Sequence, residues 1–169
     1  MTLTSKVDID ITDWRLLHEL QDNARLTYAE LGRRVGLTQP AVAERVRRLE
    51  EAGVITGYHA ELDPRTLGRP LLAFVRVTLA RAERSAALGA SVREWSEVIE
   101  CHRITGENCY IMKVALTSVE HLEAFINRVT QYGQPITSLV LSSPMSRRTL
   151  GPAEAQPSDD ARLAGSRGA

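Results

Sequence analysis

From Thr38 to Glu51 the chain spaces hydrogen-bonding and cationic side chains as a nucleic-acid reader would. Two chemistries are available there. The amide of Gln39 donates and accepts at once, which matches the edge of adenine, whereas guanidinium groups bind phosphate oxygens or a guanine edge. Thr38, Gln39, Pro40, Glu44 and Arg47 fall at the start or on the outward side of a predicted helix and are expected near base edges or adjacent phosphates. Arg33, Arg34, Arg45 and Arg48 are expected at phosphates, with Arg45, which flanks the apolar stripe, also able to pair with an acidic neighbour. Over residues 25–49, Arg25, Arg33, Arg34, Arg45, Arg47 and Arg48 stand against Glu30 and Glu44; six less two leaves a surplus of four positive charges. The whole chain, with 21 basic and 21 acidic residues, has no net charge. A neutral protein with one basic unit points to a polyanion bound at that unit.

Those side chains need helices to hold them. Thr27-Tyr28-Ala29-Glu30 reads as a capping box, with Leu31 and Val35 as an i, i+4 apolar pair behind it. Gly36 supplies a positive-φ residue for a sharp turn, Leu37 plugs that turn, and Thr38 is placed to cap a second helix with Pro40 in its first turn. On the second helix Val42, Val46 and Leu49 lie within about 60° of one another, so Pro40, Glu44, Arg47, Arg48 and Glu51 face outward. Two helices joined by a short glycine turn, the second bearing arginines, make a helix-turn-helix. A first helix over residues 8–22, with Ile11, Trp14, Leu17 and Leu16 or Leu20 inward and Asp10 or Thr12 as cap, precedes it.

The pattern then changes. Val54 to Leu62 is β-like and is expected to form a strand or small wing; Asp63-Pro64 and Leu67-Gly68-Arg69-Pro70 are linker chemistry. Beyond them the chain predicts a strand over 71–79, a helix over 83–95, strands over 98–105 and 110–116, a helix over 119–132 and a strand over 136–142. That order, βαββαβ, is ferredoxin-like. The expected fold class is α+β: a winged helix-turn-helix domain over residues 1–57, a strand and linker over 58–70, a ferredoxin-like domain over 71–143, and an Ala/Gly/Ser/Pro-rich disordered tail over 144–169.

Much chemistry is excluded. No apolar run approaches the roughly 18 residues of a membrane span and the start, MTLTSKVDIDITD, has no signal-peptide core, so a cytoplasmic protein is expected, with Cys101 and Cys109 as free thiols. With a turn centred on Glu107-Asn108, Cys101 would face Val114 and stand about 17 Å along the strands from Cys109, too far for a disulfide. There is no phosphate-cradling glycine loop, no HExxH, no zinc-spaced cysteine pair and no activated nucleophile, and His18, His59, His102 and His121 are dispersed. No cofactor, no metal and no enzymatic activity are expected.

Several of these pieces together resemble the Lrp/AsnC (feast/famine) transcriptional regulators over roughly Ile9 to Pro144. They are Ile9-Asp10-Ile11-Thr12-Asp13 with Leu16-Leu17, Leu37 to Val42, Arg45 to Glu50, Gly53 to Tyr58, Leu67-Gly68, Thr105-Gly106-Glu107 before Tyr110, and Thr137 to Ser142. The resemblance implies double-stranded DNA as partner and a C-terminal domain that senses a small molecule, usually an amino acid, between subunits. It also implies sheets that pair into homodimers, and dimers that assemble into octamers. The implied ligand set is Thr105, Gly106, Glu107, Asn108, Cys109, Tyr110, Thr137 and Ser138. Backbone amides and hydroxyls would take the α-carboxylate and Glu107 the α-ammonium. Cys109 stands where an aspartate is frequent, and Pro135 where a threonine is frequent. The alternative is an amino-acid-binding module that acts on an enzyme rather than on DNA; it leaves the basic helix-turn-helix unused.

Overall fold

The computed structural model describes residues 8–81, 83–106 and 109–152; Glu107, Asn108 and the stretch 153–169 of the expected tail lie outside the described residues. The described residues form two compact units, one reaching to His59 and taking in the chain again from Arg147, the other Ala60–Ser146.

The first unit holds α1 (Ile11–Asp22), α2 (Tyr28–Val35) and α3 (Gln39–Glu51). Local chemistry sets each helix start. Asp13 N–H donates to Asp10 Oδ1 at 2.7 Å while Asp10 N–H donates to Asp13 Oδ2 at 3.2 Å, a reciprocal cap on α1. Thr27 and Glu30 do the same for α2, at 3.2 and 2.8 Å. α2 ends at Gly36, whose φ of 77° only glycine adopts without strain. The helices close over Leu16, Leu31, Val42, Val46 and Leu49, all fully buried. Ile11, read as part of the apolar stripe of α1, instead lies 79% exposed; Leu16, Leu17 and Leu20 make that stripe.

The expected wing is not a strand. Val54 to Leu62 pairs with no strand among the described residues, and the amides of Val54 and Ile55 turn back to the Leu49 carbonyl at 2.9 and 3.1 Å. β-forming side chains alone do not make a strand; a ladder partner is required.

The second unit is β1 (Leu71–Leu79), α4 (Arg84–Val92), β2 (Val98–Arg103), β3 (Tyr110–Leu116), α5 (Val119–Thr130) and β4 (Gly133–Leu139). The four strands form one antiparallel sheet in the order β2-β3-β1-β4. Ala73, Val75 and Val77 of β1 alternate onto one face with Met112 and Val114, and Leu88, Val92, Leu122, Phe125 and Val129 of the two helices cover them. The last strand starts three residues before the expected 136 and ends three before the expected 142. Gly133 explains the early start: a Cβ there would lie 2.1 Å from the Thr78 carbonyl oxygen, so only glycine lets β4 approach β1 so closely. Pro135 opposite Val77 is tolerated because β4 is an edge strand.

The β2–β3 register also differs from the expectation. Cys101 faces Met112, not Val114, which brings it to about 10 Å along the ladder from Cys109. Both thiols are free, and burial pushes that of Cys101 up from its ordinary value. The tail expected from Pro144 is anchored within its described part: Leu150 N–H donates to the Gln21 side-chain carbonyl at 2.8 Å, and the Gln21 amide donates back to the Leu150 carbonyl at 2.9 Å.

Candidate nucleic-acid interface and ligand site

The start of α3 is the open part of the first unit. Thr38, Gln39 and Pro40 are exposed, and the Thr38 side chain makes no capping hydrogen bond to its own helix. Pro40 occupies a first-turn position where an amide would have no helical partner. Behind this tip the turn is held by close packing: Gly32 O accepts from the amides of both Gly36 and Leu37 at 2.9 Å, and a Cβ on Gly32 would meet the Leu37 carbonyl oxygen at 2.4 Å. The sequence reading did not single out Gly32, which sits inside a helix where glycine is unfavourable and for that reason was a signal.

The arginines are less free than their spacing suggested. Arg45 donates to Asp10 and Asp13, each at 2.7 Å, and Arg48 reaches the other Asp13 oxygen at 2.5 Å. Asp13 is wholly buried, so the capping acid of α1 also clasps α3. Of the residues expected at phosphates, Arg45 and Arg48 are therefore held to α1, and Arg34 is paired with Glu19 at 2.7 Å. Arg47 lies between Glu44, at 2.6 Å, and Glu51, at 2.5 Å. Its hydrogen bond and charge hold the Glu44 carboxyl below the ordinary value, and the Asp13 amide, with Arg45, does the same for Asp10. Arg33 is exposed. Across residues 8–59 seven arginines face nine carboxylates, so the local surplus of four becomes a deficit of two over that span. Asp10, Asp13 and Glu19 lie outside residues 25–49 and pair over up to 35 residues with no short-range signature, whereas Glu51 pairs with Arg47 within α3 at i, i+4.

In the second unit the expected ligand residues are only partly brought together. Thr105 and Gly106 are exposed at the β2–β3 turn, with Gly106 at φ 100°, and Glu107 and Asn108 lie outside the described residues. The Cys109 amide is already engaged, donating to the Val77 carbonyl at 2.8 Å. Tyr110 is buried, and its hydroxyl contacts the Ser85 hydroxyl at 2.8 Å at the start of α4. Thr137 pairs with Val75 and Ser138 with Phe74, so the two hydroxyls project from opposite faces of the sheet. Two strand spacings, roughly 10 Å, also separate β4 from β3. One chain alone does not gather this set around a ligand. Reasoning from sequence missed a groove beside Tyr110 lined by Ser85, Gly89 and Arg93 of the α4 segment and by Arg103 of β2. The i, i+4, i+8 spacing of the first three was its signal.

Glu97, just before β2, is the other buried acid among the described residues. Burial works to raise its pKa, but hydrogen bonds from His121 and Arg128 outweigh it and the carboxyl titrates below its ordinary value. His121 Nε2 lies 3.0 Å away, Arg128 closer still, and the Arg128 guanidinium also stacks over Trp95 and Phe125.

Comparison with known proteins decides the class. Residues 9–50 match the model of the AsnC-type helix-turn-helix domain, and residues 72–150 that of the Lrp/AsnC ligand binding domain. The chain belongs to the Lrp/AsnC family of transcriptional regulators. It is similar to an HTH-type transcriptional regulator of Bacillus subtilis, YezC, at 44% identity over 80% of this chain and 95% of that protein. It is also similar to the leucine-responsive regulatory protein of Escherichia coli, at 39% over 70% of this chain and 71% of that one. Among solved structures, Bacillus subtilis LrpC superposes with a TM-score of 0.79 at 34% identity, over 83% of this chain and 99% of that chain. The feast or famine regulatory protein of M. tuberculosis complexed with L-methionine superposes at 0.80 with 33% identity, over 86% and 100%. These Lrp/AsnC relatives are regulators, not enzymes. No helix among the described residues is long and apolar enough to cross a membrane.

Proposed function

We propose that this Lrp/AsnC regulator binds double-stranded DNA in the cytoplasm through the first turn of α3, and that an amino acid modulates that binding. The exposed Thr38-Gln39-Pro40 tip, backed by a turn too tight for any side chain at Gly32, carries the reading. A rigid tip with an uncommitted hydroxyl and amide suits base edges. Arg33 and Arg47 are the arginines that reach phosphates; Arg45 and Arg48 orient α3. In this reading residues 1–57 bind DNA, residues 58–70 link, and residues 71–143 sense and assemble.

The sheet face away from α4 and α5 supports assembly. Phe74 and Ile136 are exposed on it, 36% and 45%, with the partly buried Ile111 alongside. A face of this kind suits a second copy of itself, giving a homodimer that can build toward an octamer. Assembly also supplies what one chain lacks: the turn at Thr105 and Gly106 of one subunit can meet Thr137 or Ser138 of another. The methionine-bound M. tuberculosis relative supports an amino acid as the ligand.

The full chain should select duplexes from a random pool, and Gln39→Ala should lower affinity for the selected duplex about tenfold while leaving random DNA unchanged. Equal losses on both would remove Gln39 from base readout. Calorimetry with L-methionine and L-leucine should show binding that Gly106→Trp abolishes. Phe74→Asp with Ile136→Asp should shift the sedimenting species toward monomer, and an unchanged assembly would refute the sheet-face dimer.

A further inference from the structure

Glu44, Arg47 and Glu51 lie on one outward stripe of α3 at i−3, i and i+4. The guanidinium is held from both sides: Nε and Nη2 donate to the two Glu44 oxygens at 3.2 and 2.6 Å, and Nη1 donates to Glu51 at 2.5 Å. Each of the three side chains is more than half exposed, so no packing forces the arrangement. One cation against two anions leaves this stripe of the recognition helix with a net charge of −1. Arg45 and Arg48 of the same helix are also held, by Asp13, and Arg34 of α2 is held by Glu19.

We propose that Glu44 and Glu51 are specificity-determining residues that withhold Arg47 from DNA of the wrong sequence. The proposal rests on α3 being the DNA-reading helix. A phosphate can displace exposed carboxylates from an arginine easily, because such pairs are worth little in water. On an arbitrary duplex, though, freeing Arg47 leaves two carboxylates facing the polyanion, and their repulsion cancels the gain. A site that offers Glu44 a donor, the N4 amino group of cytosine, relieves that repulsion and lets Arg47 engage as well. The stripe thereby lowers affinity for all DNA and lowers it least for the matching sequence, which is discrimination by repulsion as well as attraction.

The test compares the full chain with Glu44→Gln, Glu51→Gln, the double variant and the double variant carrying Arg47→Gln. Glutamine keeps the length and helix propensity of glutamate, so folding is preserved, and circular dichroism verifies this. Each protein is titrated by fluorescence anisotropy across a salt series against a random duplex and a duplex that the unmodified chain selects from a pool. The double variant should bind random DNA about tenfold tighter at low salt, with a salt slope steeper by about 0.9 for each added phosphate contact. Its gain on the selected duplex should be smaller, so the ratio of the two affinities falls. Adding Arg47→Gln should return the slope to its original value. An unchanged affinity for random DNA overturns the proposal, as does an equal gain on both duplexes. A gain that survives Arg47→Gln overturns it too, since bulk charge would then explain everything. Failure of the unmodified chain to select any duplex would bring down the DNA-reading role of α3 itself, a result distinct from these.

Discussion

Asp13→Asn replaces a buried carboxylate with a neutral group of the same shape, and the structure sets the size of the effect. One Asp13 oxygen meets Arg45 at 2.7 Å and the other meets Arg48 at 2.5 Å, with the side chain wholly buried. Hydrogen bonds to charged groups contribute about 1.5–3 kcal/mol each. The two guanidiniums are 29% and 49% exposed, so water recovers part of what is lost, and the amide of asparagine sets a donor against one of them. A net cost of about 2–3 kcal/mol follows, below the 3–5 expected when both partners are sequestered. With a urea dependence of about 1 kcal/mol per molar for a small unit, the midpoint should fall by about 2–3 M. Each unit carries one tryptophan, Trp14 in the first and Trp95 in the second, so Trp14 fluorescence in a Trp95→Phe background reports the first unit alone. A loss under about 0.5 kcal/mol would refute the view that Asp13 organises α1 against α3, since that is the range of an ordinary surface change.

Gly32→Ala should destabilise the first unit by about 1–3 kcal/mol, because its Cβ would collide with backbone at Leu37 rather than with a movable side chain; urea unfolding checks it. Phe125→Ala, at a fully buried ring packed against Trp95 at 5.4 Å, should cost the second unit about 3–5 kcal/mol and leave the Trp14 transition in place. Stability of the second unit should fall with acid. Glu97 and Glu100 titrate lower folded than unfolded, so the unfolded chain binds more protons and stability is full above the ordinary carboxylate pKa of about 4.3. It should decline as pH drops through that value toward the folded one, and Glu97→Gln should flatten the decline in thermal melts taken from neutral pH to pH ~3.

The helices of the first unit were legible because their signals are local. A capping box, a terminal glycine and a 3.6-residue stripe all act within a few residues, and the structure bounds α2 by Thr27 and Gly36 and starts α3 after Thr38, although the Thr38 hydroxyl makes no cap. The ferredoxin-like order was legible for the same reason, strand by strand. What failed depended on distant partners. Val54 to Leu62 has β-forming side chains and no ladder to join. The bounds of β4 depend on Gly133 passing over the Thr78 carbonyl more than fifty residues back along the chain. Thr137 and Ser138 looked like neighbours and lie on opposite faces, because adjacent residues in a strand alternate. The basic patch was real in sequence and largely neutralised in space, since Asp13 and Glu19 of α1 reach its arginines from outside it and Glu51 pairs with Arg47 one turn further along α3.

The return of Arg147 to Pro152 to the first unit changes what counts as a cut between the units. Backbone links them twice, once at His59–Ala60 and again at Ser146–Arg147, so the second unit is in effect an insertion into a discontinuous first unit. A fragment ended at residue 59 would leave the Gln21 amide without its Leu150 partner. The fragment that keeps the described part of the first unit together is instead a splice, residues 8–59 joined by a flexible segment to residues 147–152. For the same reason, a label fused directly after Pro152 would report on the helix-turn-helix although it follows the sensing domain in sequence.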